Sequence, residues 1–143
     1  MRMIFVNLPV KDVAASRRFF GALGFGFNEQ FSNDQSACMV VEENICVMLL
    51  AEARFRDFIN GEISDASAAT EVLTCISASS RREVDDLLDK ALAAGGKAWK
   101  PVQDHGFMYG CSFQDLDGHV WEVMWMDMAA APQDVAEPEP ATA

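Results

Sequence analysis

The chain has 143 residues, of which half are hydrophobic, 11 are basic and 22 acidic, for a net charge of −11. That length suits one domain or two small fused halves, able to bury roughly two thirds of the unfolded surface. So acidic a surface repels nucleic acid and anionic membrane and favours small neutral or cationic ligands.

Met3 to Val10 alternates Val6, Leu8 and Val10 with Phe5, Asn7 and Pro9, the pattern of a strand, and Pro9 places it at an edge or an end. Asp12 caps a predicted helix over Val13–Leu23, which carries Ala15, Phe19 and Leu23 at helical spacing and stops at Gly24. Phe25–Phe31, Ser36–Val41 and Ile45–Leu50 then read as strands, joined at Asn33-Asp34 and Glu43-Asn44. The first half is thus β-α-β-β-β.

Residues 51–70 form a polar connector with a short helix predicted over Ala51–Phe58. From Glu71 the order repeats. A strand runs to Ser77, and the Ser80-x-x-Glu83 capping box announces a helix over Arg81–Ala94, ended by Gly95-Gly96. Strands over Lys97–Val102, Met108–Phe113 and Val120–Met126 complete the half. Gly24 and Gly95 stand 71 residues apart, the offset of a duplication. The expected fold class is α+β: tandem β-α-β-β-β units whose mixed sheet curves around a cleft, as one domain over 1–128 with repeats at about 1–50 and 71–127. The Pro-rich, acidic segment 129–143 is expected to be disordered.

The last hairpin turns at Asp117-Gly118, and its second strand sets Val120, Glu122, Met124 and Met126 on one face against Trp121, Val123 and Trp125 on the other. Both faces are apolar, and one carries a single carboxylate. On a strand covered on both sides Glu122 would lose hydration unless a metal, a cation or donors replaced it. A face open to water, or an arginine partner, is the ordinary alternative.

His105, in the loop Gln103 to Tyr109, is a second candidate for acid–base chemistry, with Tyr109 four residues on. The ordinary alternative is a surface histidine bonded to Asp104 or backbone. Asn7 and Tyr109 are candidates to hydrogen-bond a ligand, and Phe5, Met48, Trp99 and Met124 to pack against it, although such side chains are more often core. His119, in the tight turn, is assigned no role. Cys38, Cys46, Cys75 and Cys111 form no C-x-x-C pair and read as reduced, buried thiols. No apolar run approaches the ~20 residues of a membrane span and no signal-peptide pattern opens the chain, so a cytoplasmic location is expected.

A tandem chain that opens FVNLPVKDVAASRRFFGALGF and closes FQDLDGHVWEV resembles the vicinal oxygen chelate superfamily, the glyoxalase, bleomycin-resistance and extradiol-dioxygenase group, over about residues 1–128. It looks closest to bacterial proteins labelled predicted lactoylglutathione lyases. The resemblance implies a homodimer whose chains complete each other's clefts. It also implies a divalent ion held by His and Glu or Gln from both halves, and here Asp115, Asp117, Gly118 and Glu122 match the motif of the last ligand. The other ligand positions fall on Phe5, on Met48, and on Leu73, Thr74 or Cys75, so no metal or other cofactor is expected. One implied function is a glyoxalase-like lyase or isomerase with Glu122 as general base and His105 and Tyr109 assisting; true lactoylglutathione lyase activity, which needs the metal, is disfavoured. The alternative is a metal-free protein that sequesters a drug or metabolite.

Overall fold

The computed structural model describes residues 1–130. Each half of the chain builds its own sheet. The first contains β1 (Ile4–Val10), β2 (Gly26–Phe27), β3 (Ser36–Glu42) and β4 (Ile45–Ala51), in the order β1-β4-β3-β2. The second contains β5 (Leu73–Ser77), β6 (Lys97–Ala98), β7 (Gln103–Asp104), β8 (Met108–Gln114) and β9 (Val120–Met126), in the order β5-β9-β8-β6, with β7 also on β8. In both sheets the first and last strands pair in parallel, and the remaining pairs are antiparallel.

Helices α1 (Val13–Ala22) and α3 (Arg81–Ala93) begin where the sequence places their caps. The Asp12 carboxylate accepts from the Ala15 amide at 3.1 Å, and Ser80 Oγ from the Glu83 amide at 3.1 Å. The second arm of the expected box shifts by one residue, since Glu83 takes the Ser79 amide at 3.0 Å rather than that of Ser80. Gly24 and Gly95 end the helices at φ 103° and 107°, left-handed backbone that glycine adopts without a Cβ clash. A short helix α2 (Glu52–Arg56) lies against β1 and β4, two residues shorter than expected at its end.

Two expected strands are broken. In Phe25–Phe31 only Gly26–Phe27 pairs with β3; the Asn28 side chain then accepts from the Gln30 amide at 3.0 Å and starts a 3-10 turn over Glu29–Phe31. Short polar side chains compete with the ladder in this way. Of Lys97–Val102 only β6 forms; the chain leaves the ladder through Pro101, which has no N–H to offer, the Lys100 amide turns to Ser112 Oγ at 3.0 Å, and pairing with β8 resumes past the expected end, at β7.

The core lies between the helices and both sheets and belongs to the two halves together. Phe20 of α1 packs on Trp121 of β9 with ring centroids 5.1 Å apart, and Phe19 on Phe113 of β8 at 6.2 Å. Val10, Val47, Leu49, Val84 and Val123 complete it, each no more than 1% exposed. Of the thiols, Cys38, Cys46 and Cys111 are buried as expected; Cys75, expected buried, is exposed because the sheet face that carries it lacks a cover. No helix among the described residues is long and apolar enough to cross a membrane. Most of the tail expected to be disordered, from 131 onward, lies outside the described residues.

Candidate functional site

Strand alternation and register decide what meets on the faces away from the helices. On the second sheet Glu122 lies beside Ser112 of β8 and Cys75 of β5, with Met124 beside Gly110 and Ser77. Glu122 is half-buried over a shallow groove of about 60 Å³ that Lys100, Gln103, Ser112 and Met124 also line. A Cβ on Gly110 would stand 3.1 Å from Met124 Cγ, so the glycine gives Met124 its place across the strand. Partial desolvation by the neighbouring strands, then the charge of Glu122, push the Cys75 thiol up although its side chain still meets solvent.

The carboxylate expected to be the buried anion is therefore not Glu122. It is Asp115, 6% exposed, which accepts from the Asp117 amide at 2.9 Å, the His119 amide at 3.0 Å and Trp121 Nε1 at 3.0 Å. Desolvation raises its pKa, and the nearby His119 and these donors oppose that rise. The neighbouring Asp117 accepts the Lys11 amide at 2.8 Å, and His119 Nε2 donates to the Pro9 carbonyl at 2.7 Å. The D-x-D-G turn thus fastens the second sheet to the end of β1, a structural task that its aspartates perform without facing the groove.

The other candidates divide into three places. Phe5, Asn7 and Met48 share the corresponding face of the first sheet, Asn7 opposite Met48, with Phe5 51% exposed. Trp99 stands near the groove of the second sheet, with Lys100 Nζ 5.6 Å from its ring centroid. Tyr109 is across the sheet from Glu122. It pairs with Trp125 on the α3 side and donates to Asp85 Oδ1 at 2.6 Å. His105 sits exposed at the β7–β8 turn with Nε2 3.4 Å from Gln103 Oε1. Its backbone pairs with Met108, four residues from Ser112 along β8, which is about 13 Å at strand rise. The structure joins Glu122 with Met124 and joins Phe5, Asn7 and Met48; it does not bring His105 and Tyr109 to Glu122.

Instead, Tyr109 belongs to an Arg81 cluster. The Arg81 guanidinium lies 4.9 Å from the Tyr109 ring and 5.2 Å from the Trp125 ring, and it forks onto Asp104 at 2.8 and 3.0 Å. These bonds and the Gly106 amide hold the Asp104 carboxyl down at about 2. A lowered carboxylate contributes stability above its ordinary range and loses it as pH falls through the folded value. The β7–β8 turn should therefore keep its anchor at pH 4 and release it near pH 2, seen as faster amide exchange at Gly106. Arg81→Ala should give the fast exchange at every pH; slow exchange in that variant would refute the anchor.

The bleomycin resistance protein-like N-terminal family model matches residues 2–42. No curated protein matches the chain. Among solved structures, a hypothetical protein of S. aureus superposes with a TM-score of 0.75 at 26% identity, covering 87% of this chain and 94% of its own. A glyoxalase/bleomycin resistance protein/dioxygenase family enzyme of Burkholderia phytofirmans PsJN gives 0.73 at 19%, covering 88% and 99%. A genomically encoded fosfomycin resistance protein of Listeria monocytogenes gives 0.65 at 16%, covering 90% and 96%. The fold is that of the vicinal oxygen chelate superfamily.

The metal that many members of this superfamily use is not matched by the donors present. Leu73 and Cys75 share the open face with Glu122, while Thr74 turns to the other side, so the second-half position offers an alkyl group or a neutral thiol. The first-half positions offer the phenyl ring of Phe5 and the thioether of Met48. Among the described residues no three His, Cys, Asp or Glu side chains gather as metal donors. One carboxylate with soft or apolar neighbours is a poor set for a hard divalent ion.

A cavity of about 310 Å³ lies elsewhere, between β1, β5 and the connector, and its wall includes His119. Nothing in the motif reading assigned that residue a role. The available signal was positional: it is the first residue past the Asp-Gly turn, where the chain enters β9 beside the other half.

Proposed function

We propose that this glyoxalase/bleomycin-resistance-like protein binds a small, partly aromatic cationic or neutral compound on its open sheet faces and sequesters it without a metal. The observation that supports this is the place of Glu122 on the open sheet face, where the other charged group of the groove is Lys100, from the β6–β7 segment at its rim. In the register of β5, β8 and β9 it is the one charged side chain on a face otherwise made of Leu73, Cys75, Ser77, Met108, Gly110, Ser112, Gln114, Val120, Met124 and Met126. A carboxylate among Met and neutral polar groups attracts a cation while its surroundings take up an apolar body, and the net charge of −11 adds long-range attraction. The lyase reading has Glu122 as a base but lacks the electrostatic stabilisation that a metal or a nearby His105 and Tyr109 would provide.

A homodimer fits the same reading. Two open faces laid together would enclose the groove and cover Phe5, Leu73 and Met126, which stand 51, 48 and 40% exposed. Four free thiols suit a reducing compartment, the cytoplasm.

The test titrates the purified protein with benzyltrimethylammonium while tryptophan fluorescence is followed, before and after addition of nickel, zinc or manganese. A saturable change that Glu122→Gln weakens about tenfold, roughly 1.4 kcal/mol, is the expected result. Firm metal uptake with turnover of methylglyoxal hemithioacetal would replace the binding reading by the lyase one.

A further inference from the structure

We propose that the 310 Å³ cavity between the two sheets and the connector is a second ligand site, one that takes a small aliphatic ammonium compound. Its walls are pinned. At one end of the connector α2 rests on β1 and β4; at the other, Ser67 lies so close to Gly118 that a Cβ there would stand 2.8 Å from the Ser67 amide nitrogen. The Ser67 amide is itself bonded to Asp65 at 3.0 Å, which closes a local turn. A segment held at both ends spans the gap between β1 and β5 without collapsing into it, and the space beneath has the size of a small-molecule site.

Ile59, Phe55 and Val120 supply apolar wall, and Glu62 and Glu71 are the charged groups of the lining, with no Lys or Arg among them. Both carboxylates are exposed, so they sit where a hydrated head group can meet them while an alkyl chain goes inward. His119 belongs to the wall as well, its ring held in place by the bond from Nε2–H to the Pro9 carbonyl at 2.7 Å. Anions find no donor of positive charge here, and the surface as a whole repels them.

This site is independent of the Glu122 groove. Val120 lines the cavity and Glu122 the groove, two residues apart on β9, or about 7 Å. The test is an amide NMR titration of the full chain with hexylammonium chloride, and with sodium hexanoate as a control of equal length and opposite charge. Saturable shifts at Ile59, Thr70 and His119 with the ammonium alone are expected, and Glu62→Gln with Glu71→Gln should weaken binding about tenfold. Ala69→Phe, at an exposed lining position, should narrow the cavity and also weaken it. Equal binding of hexanoate, affinity unchanged by the double Glu→Gln variant, or absence of saturable shifts would overturn the site. Shifts confined to Gly110, Ser112 and Glu122 would also overturn it while supporting the groove.

Discussion

Trp121→Ala is expected to leave the chain without a stable fold at room temperature. Trp121 is 1% exposed, packs on Phe20 at 5.1 Å, and donates from Nε1 to Asp115 at 3.0 Å. Removing a buried indole costs about 3–5 kcal/mol in lost transfer and cavity, and a buried carboxylate that loses a donor costs about 1–3 kcal/mol more. A domain of this size holds about 5–15 kcal/mol in all. The two losses fall at one joint, because Trp121 is where α1 of the first half meets β9 of the second. Trp121→Phe separates them: it keeps most of the ring and loses the donor, so it should cost about 1–3 kcal/mol. Urea unfolding followed by near-ultraviolet circular dichroism measures both. A Trp121→Ala protein within about 1 kcal/mol of the parent would show that the joint does not hold the halves together.

What the sequence revealed depended on the range of the interaction involved. The caps at Asp12 and Ser80 and the stops at Gly24 and Gly95 are local, and they stand where the residues put them. The alternation in Val120–Met126 separated Glu122 from Trp121 and Trp125 correctly, since a strand's period needs no partner. Register was not legible. Tyr109 looked like a loop neighbour of His105, yet its pairing with Trp125 sends it to the helix side, a fact set by the length of the β8–β9 turn. The same missing register left Leu73, Thr74 and Cys75 as alternatives until the pairing of β5 with β9 put Cys75 beside Glu122. The burial of Asp115 was not legible for a related reason. It comes from the fit of the turn against β1 and α1, more than 90 residues away in sequence, and no local pattern reports that. The cavity beside His119 is further removed still, because it exists only where the connector is held across two strand edges.

Gly118→Ala is the second substitution with a large expected effect, and it tests the connector directly. Gly118 has φ 87°, where a Cβ costs about 1–2 kcal/mol, and the added carbon would meet Ser67 N at 2.8 Å and Ser67 Cα at 2.9 Å. Backbone atoms cannot rotate aside as a side-chain tip can, so the connector must lift, adding about 1–3 kcal/mol. Gly118→Asn divides the two causes, since asparagine tolerates left-handed backbone but brings the same Cβ. If the clash dominates, the Ala variant loses about 2–5 kcal/mol and the Asn variant still about 1–3 kcal/mol in urea unfolding, and amides of residues 65–69 exchange faster in both. If only the backbone angle matters, Asn recovers most of the loss and the connector stays protected. Hexylammonium binding should fall in whichever variant lifts the connector, whereas benzyltrimethylammonium at the groove should be spared as long as the sheet is folded. Should both variants remain within about 0.5 kcal/mol of the parent, the usual scatter of a surface change, Gly118 would be an ordinary turn residue. The connector would then lack the pin that keeps the cavity open.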